Sequence, residues 1–316
     1  MANPLMSYTA VIDLDNGHTP LSPKASELAL TALEDGKIVF LPRYPFSVAG
    51  DEKVLFSPTI GGNAKNVSYN PATKEIRGTQ ATGQDAELLR GLMTRFSDFA
   101  LDLVVRLVPS YQNGLIWGRT SFRPFQVEGR VTSWRKDDTR LHVDSFPSAP
   151  THGKRILRVF SNVNPGGQSR IWRVGEPFEQ VAARFLPSIR RPLPFSDIAL
   201  QLLRITRSRR TEYDHIMLQL HDRMKSDGRY QAEVEQTEQE FPAGSTWLAF
   251  ADQVAHAGVK GQYLLEQTFL LTLAQMRDQA KAPLLVLERL TGRRLSSRSL
   301  DLPDHNLQQS SSAGPA

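Results

Sequence analysis

Hydrophobic positions change rhythm along this chain, and the change divides it. Residues 26–34 place Leu28, Leu30 and Leu33 near helical spacing, with Ser26 as the expected cap and Gly36 as the stop. Residues 37–42 are a short apolar strand, and turns follow at Gly61-Gly62-Asn63 and Tyr69-Asn70-Pro71. Residues 84–106 read as one amphipathic helix carrying Leu88, Leu92, Phe96, Phe99 and Leu103. From Gly118 the period shortens towards two. Strands are expected over 125–134, 140–144, 155–163 and 169–174, the third closed by the turn Asn164-Pro165-Gly166-Gly167. Residues 178–224 turn helical, broken at Pro187, Pro192 and Pro194. Strands resume over 245–250, 253–259 and 263–271, with a turn at Lys260-Gly261 between the last two. A final helix is expected over 282–290, and the polar tail from Ser296 reads as disordered.

Strands, a helical insertion and more strands imply an α+β fold. The expected architecture is a double-stranded β-helix, a jelly-roll or cupin-like barrel, with flanking helices and an insertion over 178–240. The expected organisation is a mixed α/β region over 1–95 packing on the barrel, a core over 96–295, and a tail over 296–316.

Composition narrows the chemistry. The 316 residues are 40% hydrophobic, carry a net charge of +5 and contain no cysteine. Disulfides, thiolate metal sites and cysteine nucleophiles are thereby excluded. No apolar run approaches the roughly 18 residues of a membrane span. The N-terminus lacks the basic and apolar regions of a secretory signal, so the expected location is cytoplasmic. A sequence pI near 9.5 favours polyanionic partners. Arginines crowd at 190, 191, 204, 207, 209 and 210, beside Leu202, Leu203 and Ile205. This stretch reads either as a solvated helix face or as a surface for contact with an anionic membrane.

One triplet stands out, His142-Val143-Asp144. On a strand, residues two apart share a face, so His142 and Asp144 point one way while Leu141 and Val143 turn into packing. His256 lies on a later strand just before a tight turn. Two histidines and a carboxylate form the facial triad that leaves positions open on non-heme Fe(II). The competing interpretation is a buried His–Asp pair that braces the sheet. His18, His152, His215, His221 and His305 fall in loops, helix or tail, with His221 placed to reach the site if the insertion covers it.

Fe(II) oxygenases of this kind consume O2 and 2-oxoglutarate, whose distal carboxylate needs a cation. An arginine about ten residues after the second histidine is common in such barrels, but Glu266 and Gln267 stand there. Arg155 and Arg158 on the 155–163 strand are the alternatives, and they face opposite sides. Arg158, which shares its face with Phe160 and Asn162, is preferred; Arg158, Arg155 and Asn162 are the candidate co-substrate residues. Arg119, Arg123, Arg130, Arg135 and Arg140 crowd the approach to the metal strand, some as candidates to bind an anionic substrate and most as solvated edge charges, and Trp117, Trp134, Trp172 and Trp247 read as core or rim aromatics. On the helix around 212–225, Tyr213, Ile216, Met217, Leu220 and Met224 form a packing stripe, while His221, Asp222 and Lys225 are candidates for a substrate cleft.

The strings Thr139-Arg-Leu-His-Val-Asp-Ser-Phe-Pro-Ser148 and Gly153-Lys-Arg-Ile-Leu-Arg-Val-Phe-Ser-Asn-Val-Asn-Pro165, the Tyr213–Lys225 helix and Ala255-His256-Ala257 resemble the Kdo hydroxylases of Gram-negative bacteria. The resemblance covers roughly residues 100–275. It implies an Fe(II)/2-oxoglutarate-dependent dioxygenase that hydroxylates carbon 3 of 3-deoxy-D-manno-oct-2-ulosonic acid (Kdo), giving Ko in the lipopolysaccharide inner core. Matched by position, His142, Asp144 and His256 would hold the iron. The implied partner is Kdo-bearing lipid A, with peripheral inner-membrane contact and no nucleic acid. Two other readings stay open: the same chemistry on a protein, nucleobase or small molecule, or a non-catalytic jelly-roll that binds an anionic glycan or lipid.

Overall fold

Residues 155–162 form a strand at the heart of the larger of two sheets, as their alternation predicts. The computed structural model describes residues 9–15, 21–62, 64–130, 132–192 and 196–295. The expected tail over 296–316 lies outside them. In chain order the first elements are β1 (Val11–Asp13), α1 (Pro23–Glu34), β2 (Ile38–Leu41), β3 (Val67–Asn70), β4 (Glu75–Arg77), α2 (Gly83–Leu107) and β5 (Leu115–Arg123). Next come β6 (Arg155–Asn162), β7 (Arg170–Val174), α3 (Phe178–Phe185), α4 (Ser196–Leu202), α5 (Glu212–Ser226) and α6 (Gly228–Glu233). The last are β8 (Thr237–Phe241), β9 (Thr246–Phe250), β10 (His256–Lys260), β11 (Leu264–Leu271) and α7 (Pro283–Thr291).

The large sheet has the order β1-β2-β9-β6-β11-β5-β3-β4, and the small one β10-β7-β8. Their facing sides make the jelly-roll interior. Even-numbered positions of β6 point inward: Phe160 packs with Trp172, Phe241 and Trp247. Odd-numbered ones point outward, where Leu157 and Val159 meet Leu33 of α1 and Leu103 and Leu107 of α2. The N-terminal strands β1 to β4 extend both edges of the large sheet, and residue 95 falls inside α2.

Three local readings differ from the structure. α1 starts at Pro23 under a Ser22 cap whose hydroxyl accepts from the Ala25 amide at 3.2 Å, because proline fits the first turn, where no amide bond is needed. The described residues of the strand expected over 125–134 are irregular, and the pairing strand is β5, just before them. The strand expected over 140–144 is reduced to one bridge, His142 to His256.

The insertion breaks between α3 and α4, where its prolines predict, and again between α4 and α5, where no proline stands. α5 opens with a capping box between Thr211 and Asp214. The Asp214 carboxylate also accepts the backbone amides of Thr151 (2.8 Å) and His152 (3.1 Å). That bond ties the helix to the loop following Asp144. Leu141 and Val143, both fully buried, pack against the insertion's apolar face with Ile216, Met217 and Leu220.

Candidate metal centre

His142 and His256 are cross-strand neighbours, each donating its backbone amide to the other's carbonyl, at 3.0 and 2.9 Å. Their ring centroids stand 4.7 Å apart. Each ring fixes its own tautomer: Nδ1 lies 2.8 Å from the Arg140 carbonyl in His142 and 2.8 Å from the Val254 carbonyl in His256. With Nδ1–H donating outward, both Nε2 lone pairs face the cavity. Burial pushes both imidazoles below their ordinary pKa, His142 furthest, and keeps them in the neutral form that binds metals. Asp144, held by its amide on the Ala251 carbonyl at 2.7 Å, brings Oδ1 to 3.7 Å from His142 Nε2. One ligand atom from each of His142, Asp144 and His256 lies within 4.8 Å of the others. Among the described residues this is the one group of three or more His, Asp or Glu so arranged.

The triad opens on a cavity of about 290 Å³ between the two sheets. From the large sheet come Arg123, Arg158, Phe160 and Glu266; from the small one, Arg170 and Trp172. Arg158 lies inside, as its parity predicts. Its Nε is 3.0 Å from Asp144 Oδ2 and its Nη1 donates to Glu266 at 2.8 Å. Glu266 also accepts from Arg123 at 2.7 Å. Burial works to raise the Glu266 carboxyl, but Arg123 and Arg158 outweigh it and hold it below its ordinary value. Among the described residues Arg170 has no carboxylate among its hydrogen bonds; its guanidinium donates to the Gly261 carbonyl at 3.0 Å. Burial, then repulsion from Arg123, brings it down to about 10, so it stays charged at neutral pH. Gly258 makes room for it, since a Cβ there would come within 2.9 Å of Arg170 Nη2.

Arg158 Nε and Asp144 Oδ2 meet as a 3.0 Å ion pair without hydrogen-bond geometry. Two donors in this wall lack a hydrogen-bond partner among the described residues: Arg170 Nε and the Trp172 indole N–H. Buried polar groups are rarely left so. Unmatched donors around a two-His, one-carboxylate cluster fit a metal and an anionic, acceptor-rich co-substrate.

A model of the 3-deoxy-D-manno-oct-2-ulosonic acid (Kdo) hydroxylase family matches residues 17–294. This chain belongs to the Kdo hydroxylase family. Solved structures agree. The Kdo hydroxylase KdoO, described as a non-heme Fe(II) α-ketoglutarate-dependent dioxygenase, is similar in its cobalt(II) complex, with 43% identity over 92% of this chain and 98% of that one and a TM-score of 0.88. Its complex with α-ketoglutarate and Fe(III) gives 42% identity, 90% and 97% coverage and a TM-score of 0.86. Its succinate and Fe(III) complex gives 42%, 92%, 98% and 0.87. A search of curated protein sequences returned no match.

Within this Kdo hydroxylase family member, two of the candidate co-substrate residues lie away from the cavity. Arg155 is fully buried on the outer face of β6, paired with Asp252 at 2.8 Å and stacked 3.8 Å over Phe250. The odd–even step along the strand puts it there. Asn162 shares the inward parity, but at the strand end its amide donates to the Gln168 and Phe241 carbonyls and braces the turn. Sequence reasoning missed Arg170. The usable signal was its parity with Trp172 and Val174, a lone charge on a core-facing side of β7. Arg123, one of the arginines read mostly as solvated edge charges, is pinned between Glu266 and Asp138. α5 does cover the site, with the His221 ring 5.4 Å from that of His142.

Proposed function

We propose that this protein hydroxylates carbon 3 of Kdo carried on lipid A or its precursor, forming Ko, with Fe(II), 2-oxoglutarate and O2. The convergence of His142, Asp144 and His256 on an arginine-lined cavity carries the reading. Bound iron would supply oxygen activation coupled to oxidative decarboxylation of 2-oxoglutarate to succinate and carbon dioxide. The residues supply the rest. His142, Asp144 and His256 hold the metal. The Trp172 ring, stacked 5.0 Å from that of His256, steadies that ligand. Arg158 and Arg170 are the cations for the 2-oxoglutarate carboxylates.

The deciding experiment supplies anaerobically iron-loaded protein with 2-oxoglutarate, admits oxygen, and compares Kdo-bearing lipid A with its Kdo-free counterpart. Succinate that depends on the Kdo lipid, with product mass raised by one oxygen atom, supports the reading. Succinate formation indifferent to the lipid would reopen the substrate. For the co-substrate, Arg170→Met is the cleanest probe, because it strands no carboxylate. Losing a charge-assisted hydrogen bond of about 1.5–3 kcal/mol should raise the KM for 2-oxoglutarate roughly ten- to a hundredfold. An unchanged KM would remove Arg170 from that role.

The same reading places the protein peripherally at a membrane. Among the described residues no helix is long and apolar enough to cross one. Leu202, Leu203 and Ile205 at the end of α4 are 78%, 70% and 52% exposed, beside Arg204, Arg207, Arg209 and Arg210. This tip is tied to the cavity mouth: the Arg207 amide donates to the Ser148 carbonyl at 3.0 Å and Arg210 to that of Pro147 at 2.7 Å. Ser145 and Phe146, just before, line the cavity. Co-sedimentation with anionic vesicles should fall sharply when Leu202, Leu203 and Ile205 all become serine. Equal sedimentation would discard the tip as the docking surface.

A further inference from the structure

The charges around the iron cavity do not balance, and the imbalance has a location. Among the described residues, seven cations and three carboxylates line it, an excess of four positive charges with neutral histidines. Fe(II) adds two positive charges and 2-oxoglutarate brings two negative ones, so the excess survives both. Arg123, Arg158 and Arg170 stand between the sheets. Lys65 and Lys225 gather elsewhere, around Asp138. Its carboxylate receives Arg123 at 3.0 Å, pairs with Lys65, and lies 3.8 Å from Lys225 Nζ. Burial works to raise that carboxyl, but Arg123 and Lys65 outweigh it and hold it well below its ordinary value. One carboxylate thus serves three cations.

Lys225 is the least compensated of them. It follows His221 by one helical turn, so both project from the same side of α5 towards the triad. The residue is 1% exposed, and among the described residues its ammonium makes one hydrogen bond, to the Arg135 carbonyl at 3.1 Å. An ammonium has three donors, and burying one with so few partners is costly. Lys65 reaches the same carboxylate from the far side of the chain and also lines the cavity.

We propose that Lys225 and Lys65, gathered about Asp138, form the subsite for the carboxylate of the sugar-acid acceptor, while Asp138 keeps the two ammonium groups in position. This rests on the reading that a Kdo-bearing lipid is the acceptor. It assigns specificity to charge at one end of the sugar and leaves the arginines between the sheets for 2-oxoglutarate.

The test compares Kdo-bearing lipid A with its Kdo methyl ester, both in detergent micelles. Affinity is read by anaerobic calorimetry with iron- and 2-oxoglutarate-loaded protein, and KM by product mass. The unchanged protein should prefer the free acid by about tenfold or more, the scale of one charge-assisted contact. Lys225→Met should erase most of that preference and weaken acid binding, while the KM for 2-oxoglutarate moves less than twofold. Lys65→Met, whose side chain is one-third exposed, repeats the measurement if the first variant folds poorly. Equal binding of acid and ester by the unchanged protein, or an undiminished preference in both variants, would overturn the subsite. If the unchanged protein hydroxylates no Kdo lipid at all, the acceptor reading itself falls, and the subsite with it.

Discussion

Asp144→Ala is expected to abolish iron-dependent turnover and leave the fold standing. On the proposed reading the carboxylate is one of three ligands, and even a partner one step removed from a metal typically costs 10- to 100-fold in affinity or activity when lost. A direct ligand should cost more. The backbone at 144 is secured independently, through its amide on the Ala251 carbonyl. Arg158 keeps Glu266 as its counter-ion at 2.8 Å, so no buried cation is stranded. Metal content by mass spectrometry, circular dichroism and succinate formation would be measured together. Loss of iron with an unchanged spectrum is the expected pattern. Full turnover in this variant would refute the triad, and a collapsed spectrum would recast Asp144 as a structural brace.

Arg155→Met should do the opposite, harming stability far more than chemistry. Arg155 and Asp252 are both buried, Arg155 completely, and the guanidinium also donates to the Gln253 side chain at 2.6 Å. Breaking such a pair from one side leaves an uncompensated buried charge, at a cost of about 3–5 kcal/mol. The melting temperature should drop by something on the order of 10 °C. Burial already holds the Asp252 carboxyl above its ordinary value despite Arg155. Without the guanidinium it should rise further. An acid with a raised folded-state pKa contributes stability at low pH and loses it as pH climbs through that value. The deficit of the variant should therefore widen from acid to neutral pH, and Asp252→Asn in the same chain should restore part of it. A melting temperature within a degree or two of the unchanged protein's would show that the pair contributes little.

These two arginines show how far the sequence could be read. The cluster of His142, Asp144 and His256 was legible from alternation: Leu141 and Val143 pack against the insertion while His142 and Asp144 face the cavity, although 140–144 pairs through one bridge and forms no strand. The same parity separated Arg158 from Arg155. It failed on β5, where polar residues are buried in mutual hydrogen bonds. Thr120 bonds Gln267 at 2.6 Å and Arg123 bonds Glu266, so no apolar alternation marks the strand. Glu266 occupies the place where an arginine was sought, and from there it grips two arginines contributed by other strands. Nothing local to Asp138 or Lys65 signals that they meet, since their contact depends on how distant loops fold over the barrel.

The insertion leaves the barrel after Val174 and returns at Thr237, and these two residues face each other in the β7–β8 register. It therefore hangs from a closed root, and its length is nearly independent of the iron. Loop-closure cost grows only about 0.6 kcal/mol per doubling of length. Descendants of this chain could lengthen or shorten the connections among α3 to α6 while His142, Asp144 and His256 stay in register, provided α5 keeps its packing on Leu141 and Val143. Acceptor choice and surface attachment are then free to diverge between relatives, while the oxidative chemistry beneath them is inherited unchanged.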